Sequence, residues 1–452
     1  MDHKGFDPET NFLQKPYTLK QLSSKICAAI DSGKPRGDRT DLKSCPPRYN
    51  ECRPMLPSAR CALSLFFLSV DLHPGKVVAG IFLAILVGSL VFCILQVVAA
   101  IRYLGIRPPR LERAEPISIL KPLAGLDLDL ESNLRTFFEQ NYPEFEILFA
   151  VRNVRDPAVR VVSQLQQEYP KIPSRLVITG EPPYPNAKVF SLEKMLAAAA
   201  NDLVVMSDSD IRVTSDLLQT AAAEFQDPRV GVATCPYRAV PGQSFWSRLE
   251  ATGMNTDFWG GALVARMLEG MRFAVGPTIV ARMHVLQAIG GMTRFKNYLA
   301  EDFVIGQFAA EAGHGVILSS YVIEHHIGSA SFDDNIAHRT RWTRSTRRSR
   351  PAGYVGQLFT MPFPMALIVC VLSPSWWPVL PVALALRVLS AYMVSSRVLR
   401  AKLNWALLPI EDVITFLFWI GGFFGNTISW RGRKYRLFSD GRFALIASTN
   451  DH

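Results

Sequence analysis

Charge is what this chain has least of. Only 19% of its 452 residues are Asp, Glu, Lys or Arg, against 49% apolar residues, a balance that excludes an ordinary soluble protein. Cysteine is also scarce. The seven (Cys27, Cys45, Cys52, Cys61, Cys93, Cys235, Cys370) are odd in number and have no zinc-ligand spacing, so no disulfide framework is expected. The sequence has no P-loop, no G-x-G-x-x-G turn and no internal repeat.

The apolar residues that are present are concentrated. Val77 to Ile101 is 25 residues without a charge, bracketed by Lys76 and Arg102. A bilayer core takes ~20 apolar residues of helix, so 77–101 is expected to span. It lies too far into the chain and runs too long for a cleavable signal peptide. Pro351 to Leu386 is another 36 residues without charge, broken by Pro362, Pro364, Pro374, Pro378 and Pro381. Two segments, 355–372 and 376–395, are expected to form a hairpin, since neighbouring helices or water can satisfy backbone groups freed by proline. A further apolar stretch, 413–430, opens after Glu411 and Asp412; it spans, re-enters or lies in the interface. The carboxyl-terminal membrane region is thus 355–430, in two to three segments, followed by a basic tail at 431–452. Residues 1–75 are polar and expected to be disordered.

The net charge of +10 is local. Arg339, Arg341, Arg344, Arg347, Arg348 and Arg350 fall within twelve residues, directly before the second apolar region. Beside a membrane segment, the positive-inside rule and contact with anionic membrane lipids explain such a run better than nucleic acid does. No nucleic-acid partner is expected. The same rule places the domain at 110–350 on the cytoplasmic side of a multi-pass integral membrane protein.

Between the apolar regions, short strand patterns alternate with helical ones. Strands are expected at Ile117–Leu120, Glu146–Val151, Leu176–Thr179, Leu203–Met206 and Val230–Cys235, with helices near 131–139, 156–168, 190–200 and 214–225. This is the signature of an α/β domain with a mostly parallel sheet. After 236 an amphipathic stretch (243–268) precedes an antiparallel pair near 271–283, then a helix from Glu301. The fourth strand runs directly into Asp208-Ser209-Asp210. Ligands bind at the carboxyl edge of such sheets, and paired carboxylates there suit Mg²⁺ or Mn²⁺ together with phosphate oxygens. Asp156 before Pro157 reads equally as a helix cap, and Glu301-Asp302 as acids at a helix amino terminus. His325 and His326, adjacent on a strand, point to opposite faces and read as structural.

Asp156, Asp208-Ser-Asp210, Glu301-Asp302 and His338-Arg-Thr-Arg-Trp342 follow one another along a single domain. That series resembles the membrane-bound inverting glycosyltransferases of the GT-A (nucleotide-diphospho-sugar transferase) fold, and within them the ceramide glucosyltransferase family. The likeness runs from about 77 to about 441. It includes Ile117-Ser-Ile-Leu-Lys-Pro-Leu123, Asn141-Tyr-Pro143, Ala300-Glu-Asp302 and Thr427-Ile-Ser-Trp-Arg-Gly-Arg-Lys-Tyr-Arg-Leu437. The resemblance implies a GT-A domain with amino- and carboxyl-terminal transmembrane helices, a UDP-sugar donor, a ceramide-like or hopanoid lipid acceptor and a divalent cation. It implies a nucleotide contact for Asp156, a metal and diphosphate site at Asp208 and Asp210, and general-base duty for Asp302. Lys188 matches a lysine facing the diphosphate. Arg341 and Trp342 match the end of a (Gln/Arg)-x-x-Arg-Trp motif, from which His338 departs at the first position. Glucosyl transfer to the primary hydroxyl of a ceramide is the activity this implies. N-acetylglucosamine transfer to a hopanoid lipid, a processive polysaccharide synthase and a silent binding protein are the alternatives.

Overall fold

The computed structural model describes residues 74–328, 331–430 and 433–446, so the extension expected at 1–75 lies almost wholly outside the described residues. The first described element is helix α1, Pro74–Leu104, of 31 residues. It encloses the uncharged run and is long and apolar enough to cross a membrane.

Seven strands then build the main sheet in the order β3-β2-β1-β4-β8-β6-β9. They are β1 (Ile117–Pro122), β2 (Phe145–Val151), β3 (Ser174–Ile178), β4 (Leu203–Ser207), β6 (Val230–Thr234), β8 (Thr278–Arg282) and β9 (Gly315–Leu318). β1 pairs in parallel with β2 and β4, and β2 with β3. Both β2 and β4 are buried along their whole length, as continuous apolar runs require when helices cover both faces. The covering helices are α2 (Leu130–Phe138), α3 (Ala158–Glu168), α4 (Ala187–Ala198) and α5 (Leu217–Glu224). The expected mixed α/β class and all five expected strands are present.

One expectation fails. In place of an antiparallel pair at 271–283 there is the single strand β8, antiparallel to β4 on one side and β6 on the other. With both edges already paired, β8 has no free backbone groups for a hairpin partner, and 270–277 runs as a connecting loop. The long amphipathic stretch before it is two helices, α6 (Phe245–Gly253) and α7 (Trp259–Glu269), joined by a π-helical turn at Met254–Phe258. A second, three-stranded sheet of β5 (Ile211–Arg212), β10 (Ile323–Ile327) and β7 (Tyr237–Pro241) lies just beyond the carboxyl end of β4.

Helices α8 (Met283–Ala288) and α9 (Glu301–Glu311) follow β8, and α10 (Phe332–Ser349) carries the arginine cluster. Ser331 and Asp334 start α10 as a reciprocal capping box. Next come α11 (Pro351–Gly356) and α12 (Pro362–Leu372); the first apolar segment is bent by 65° where Pro362 interrupts it. Helix α13 (Val379–Ala391) continues through a π-helical turn to Val398, giving a second helix that meets the length and hydropathy of a span.

The stretch 413–430 is not one segment. Helix α14 runs from Leu408 to Gly421, and Thr427–Trp430 is already strand β11. At 1.5 Å per residue, 14 helical residues cover about 21 Å, short of the ~30 Å hydrocarbon core. Instead of trailing away as a tail, the chain pairs β11 with β12 (Arg433–Leu437) and β12 with β13 (Phe443–Leu445). This small sheet is tied to the α/β domain by the Phe443 amide, which donates to the Asn297 carbonyl at 2.8 Å.

Two arginines, each in buried ion pairs, join the carboxyl-terminal helices to the rest of the domain. Arg387 on α13 contacts Asp412 at 2.8 Å and Asp257 of the π-helical turn at 2.7 Å. Arg339 on α10 forks onto both carboxylate oxygens of Glu411, each at 2.8 Å.

Candidate active site

β4 delivers its chain to the carboxyl edge of the sheet, and Asp208 follows at once, its amide donating to the Pro277 carbonyl at 2.9 Å. Lys188 stands opposite. It is set at the start of α4, where Asn186 caps the helix by accepting from the Val189 amide at 3.1 Å. Its Nζ lies 2.6 Å from Asp208 Oδ1 and 3.4 Å from Glu301 Oε1. The Asn186 amide donates to Glu301 Oε2 at 3.1 Å, so the amino terminus of α4 fixes Glu301, and α9 carries Asp302 in beside it. Burial opposes the charge on Lys188, but Asp208 and then Glu301 outweigh it and hold the lysine above its ordinary range. Burial pushes the Asp208 carboxyl up, with Asp210 and Glu301 adding to the rise against the pull of Lys188.

Asp302 is raised to about 6, by burial first and by the neighbouring Glu301 second. That is the range in which a carboxylate serves as a base near neutrality. Gly276 lies close beside it: a Cβ there would stand 2.7 Å from Asp302 Oδ2. The overlap with a carboxylate oxygen bars any larger residue from this position without a shift.

Asp210 faces a different partner. Its Oδ2 meets His325 Nε2 at 3.1 Å, and its carbonyl accepts from the His326 amide at 2.9 Å. Burial works to raise its pKa, but the charge and hydrogen bond of His325, and then Lys121, bring it down to about 2. The other oxygen, Oδ1, is buried with no hydrogen-bond partner. A buried, unpartnered carboxylate oxygen beside a second carboxylate is the donor chemistry a hard divalent cation takes. Among the described residues no cluster of three or more His, Cys, Asp or Glu could hold a metal by itself. The pair therefore fits an ion that completes its shell with ligand oxygens and water.

Asp156 does what a helix cap does, accepting from the Ala158 amide at 3.0 Å. It also accepts from the Gly125 amide with both oxygens at 3.1 Å, pinning the loop that leaves β1. Because β2 and β4 both run parallel to β1, Asp156 and Asp208 emerge at the same sheet edge.

The α10 residues come to this site through aromatic rings. Trp342 lies 6.1 Å from Phe258, Phe258 stacks on Tyr237 at 5.7 Å, and Tyr237 meets the His325 ring edge-on at 5.1 Å. His325 ends the series on Asp210. His338 has Nδ1 on the Glu250 carboxylate and its ring 4.7 Å from Trp342. Arg341 lies over the Trp430 ring at 5.9 Å.

The arginines that follow are engaged within the chain. Arg347 donates to the Phe423 carbonyl at 2.5 Å and the Gly425 carbonyl at 2.8 Å, and Arg344 bonds the Thr427 carbonyl. They satisfy backbone carbonyls between the end of α14 and the first residue of β11. Arg350 stacks over Phe303, next to Asp302, at 5.3 Å.

Three site residues carry signals the motif reading passed over. Lys121, fully buried and lowered to about 7 by burial against the pull of Asp208, donates to the Asp208 carbonyl at 2.5 Å. Its signal was a lysine inside an otherwise apolar strand. Glu301 was visible beside Asp302. His325 was read as structural; the alternation argument holds, since His326 turns to Glu324 at 3.2 Å, but the other face looks onto Asp210.

Residues 81–443 match the model of glycosyl transferase family 21. The chain belongs to that family. Among its relatives, ceramide glucosyltransferase 3 of Caenorhabditis elegans is 28% identical over 229 residues, 50% of each chain. Ceramide glucosyltransferase 1 of the same organism is 30% identical over 207 residues, 45% of this chain and 44% of the relative. The ceramide glucosyltransferase of Komagataella phaffii is 34% identical over 116 residues, 25% of this chain and 22% of the relative. The chain thus matches half or less of the length of these relatives. A mannosyltransferase of Pyrobaculum calidifontis, solved with GDP-mannose and Mn²⁺, is similar in structure with a TM-score of 0.48 and 17% identity, covering 76% of this chain and 99% of that one. That likeness is too loose to transfer a ligand or a reaction.

Proposed function

We propose that this family 21 chain is an inverting glucosyltransferase that moves glucose from UDP-glucose to the primary hydroxyl of ceramide or a ceramide-like lipid. The observation that carries the reading is the meeting of Asp208, Glu301 and Asp302 around Lys188 at the carboxyl edge of the sheet. Lys188 is the group that turns from its carboxylates to a donor diphosphate. Asp302, poised near neutrality, accepts the proton of the attacking hydroxyl. A single base and direct attack exchange an α-linked donor for a β-linked product. Asp208 and Asp210 are the residues that would hold a magnesium or manganese ion, which when bound neutralises charge on the leaving diphosphate. Arg341 supplies a guanidinium suited to that diphosphate, and Trp342 a wall for the acceptor cleft. His338, held by Glu250, serves to orient Trp342.

The apolar helices before and after the α/β domain support a multi-pass membrane protein whose cytoplasmic domain meets its lipid acceptor from the side. The domain at 110–350 is then the GT-A unit, with 77–101 and the apolar helices between 355 and 398 in the membrane. The test is to incubate membranes carrying the chain with labelled UDP-glucose and ceramide and to extract the lipid. A β-linked glucosyl lipid, lost in excess chelator and in Asp208→Ala, is the expected product. Label entering a hopanoid from UDP-N-acetylglucosamine, with none in ceramide, would overturn the substrate assignment.

A further inference from the structure

A cavity of about 300 Å³ opens at the foot of α1, away from the carboxylates. Its walls include Arg102, Arg266, Met267, Met271 and Ile317. Arg102 is the first charge after the uncharged run Val77–Ile101, so its guanidinium falls where hydrocarbon gives way to headgroups. Arg266 comes from the last turn of α7, which packs along α1. The wall between them is fixed: Arg266 lies over the Tyr103 ring at 5.7 Å, and the Tyr103 hydroxyl donates to the Ser319 carbonyl at 2.5 Å. Among the described residues neither arginine has a carboxylate within ion-pairing distance. Glu224, the buried acid nearest Tyr103, is taken by the amide and hydroxyl of Ser320. On the same two helices, within two residues of lining residues, Ile101, Leu104 and Leu268 are large apolar side chains left exposed.

We propose that this cavity binds the phosphate headgroup of an anionic phospholipid, with the acyl chains running alongside α1. Two guanidiniums without acidic partners call for a phosphate, which each can fork onto. The methionines of the wall and the exposed apolar side chains of α1 and α7 call for a ligand with a hydrocarbon end, which a free anion lacks. Arg344 and Arg347 of α10, by contrast, already bond carbonyls of their own chain, Arg339 is paired with Glu411 and Arg348 bonds the Asn426 side chain.

The test uses the full chain, purified in non-ionic detergent and stripped of lipid, without any UDP-sugar. Its outcome is therefore independent of the transferase reading. Phosphatidylglycerol and phosphatidylcholine are titrated in and bound lipid is counted by native mass spectrometry. The expected result is one phosphatidylglycerol per chain held in preference to phosphatidylcholine. Its affinity should fall at least tenfold in Arg102→Gln/Arg266→Gln, hold in Arg102→Lys/Arg266→Lys to within a few-fold, and be unchanged in Arg107→Gln/Arg110→Gln. A diazirine-bearing phosphatidylglycerol should label the wild-type peptide spanning 262–271, a readout that needs no variant to fold. Equal binding by the glutamine variant, or labelling confined to other segments, overturns the site. Full competition by glycerol 3-phosphate at millimolar concentration overturns the lipid and leaves a site for soluble phosphate.

Discussion

Two clusters of opposed charge lie within this domain, similar in composition and different in construction. At the junction with the carboxyl-terminal helices, Asp257, Glu411 and Asp412 are met by Arg339 and Arg387; at the candidate site, Asp208, Glu301 and Asp302 surround Lys188. The junction is sealed, with Asp412 1% exposed, and its arginines fork onto carboxylates with several hydrogen bonds each. The site is open, with Asp208 32% exposed, and its cation is a lysine, a point charge on a flexible stem. A planar fork locks one geometry, while an ammonium can leave one anion for another. The junction is built to stay shut and the site to exchange partners.

The largest expected effect is on the site's chemistry. Asp302→Asn keeps the shape and loses the base, so turnover should fall by ~10²–10⁴-fold while UDP-glucose binding by calorimetry stays near wild type. Turnover within a few-fold of wild type would remove Asp302 from the mechanism. Next comes the junction. Arg387→Met leaves Asp257 and Asp412 buried without their cation, and breaking a buried pair this way costs about 3–5 kcal/mol, read as a lowered melting temperature in detergent. Lys188→Met should destabilise much less, because Asp208, its nearer partner, reaches solvent, and should instead weaken donor binding. Equal loss of stability in the two variants would erase the distinction.

The pH dependence sharpens the comparison further. The proposed base works only when unprotonated, and the raised pKa of Asp302 brings protonation nearer neutrality than for an ordinary aspartate. kcat/KM should therefore fall about tenfold per unit below pH ~6 and level off above it. A profile flat from pH 5 to pH 8 contradicts the assignment. The smallest effect belongs to the arginines of α10. Arg347→Gln removes bonds to the Phe423 and Gly425 carbonyls, each contributing on the order of 1 kcal/mol, and amide exchange over 423–428 should speed up. Loss of anionic-lipid binding in that variant, with exchange unchanged, would return the cluster to the membrane surface.

Much of this was legible in the residues. Apolar runs fixed by the period of burial announced β1, β2, β4 and β6 to within a residue or two, and the strand running into Asp208 announced the sheet edge where the carboxylates meet Lys188. What sequence reasoning missed were pairings that depend on distant chain. β8 resembles half of a hairpin until the places beside it are seen to be filled by β4 and β6. The segment 413–430 reads as one apolar stretch because the turn after Gly421 is stabilised by arginines some 75 residues earlier, such as Arg347. His325 resembles any strand histidine until β10 is laid beside β5 and the end of β4. Charge clusters were the least readable: the run from Arg339 to Arg350 carries the composition of a membrane anchor and makes the bonds of a loop clamp.

The sheet order has a consequence for how the chain is made. β6 leaves the ribosome before β8, the strand that joins it to β4, which is some 45 residues further on. Until residue 282 emerges, β4 and β6 each present an unpaired apolar edge, the kind of edge that recruits strands from other chains. Loop closure over that separation makes the pairing slow. Insertion of α1 into a membrane during this interval would hold the nascent domains apart on the bilayer, so that the apolar helix protects the sheet before the fold is complete.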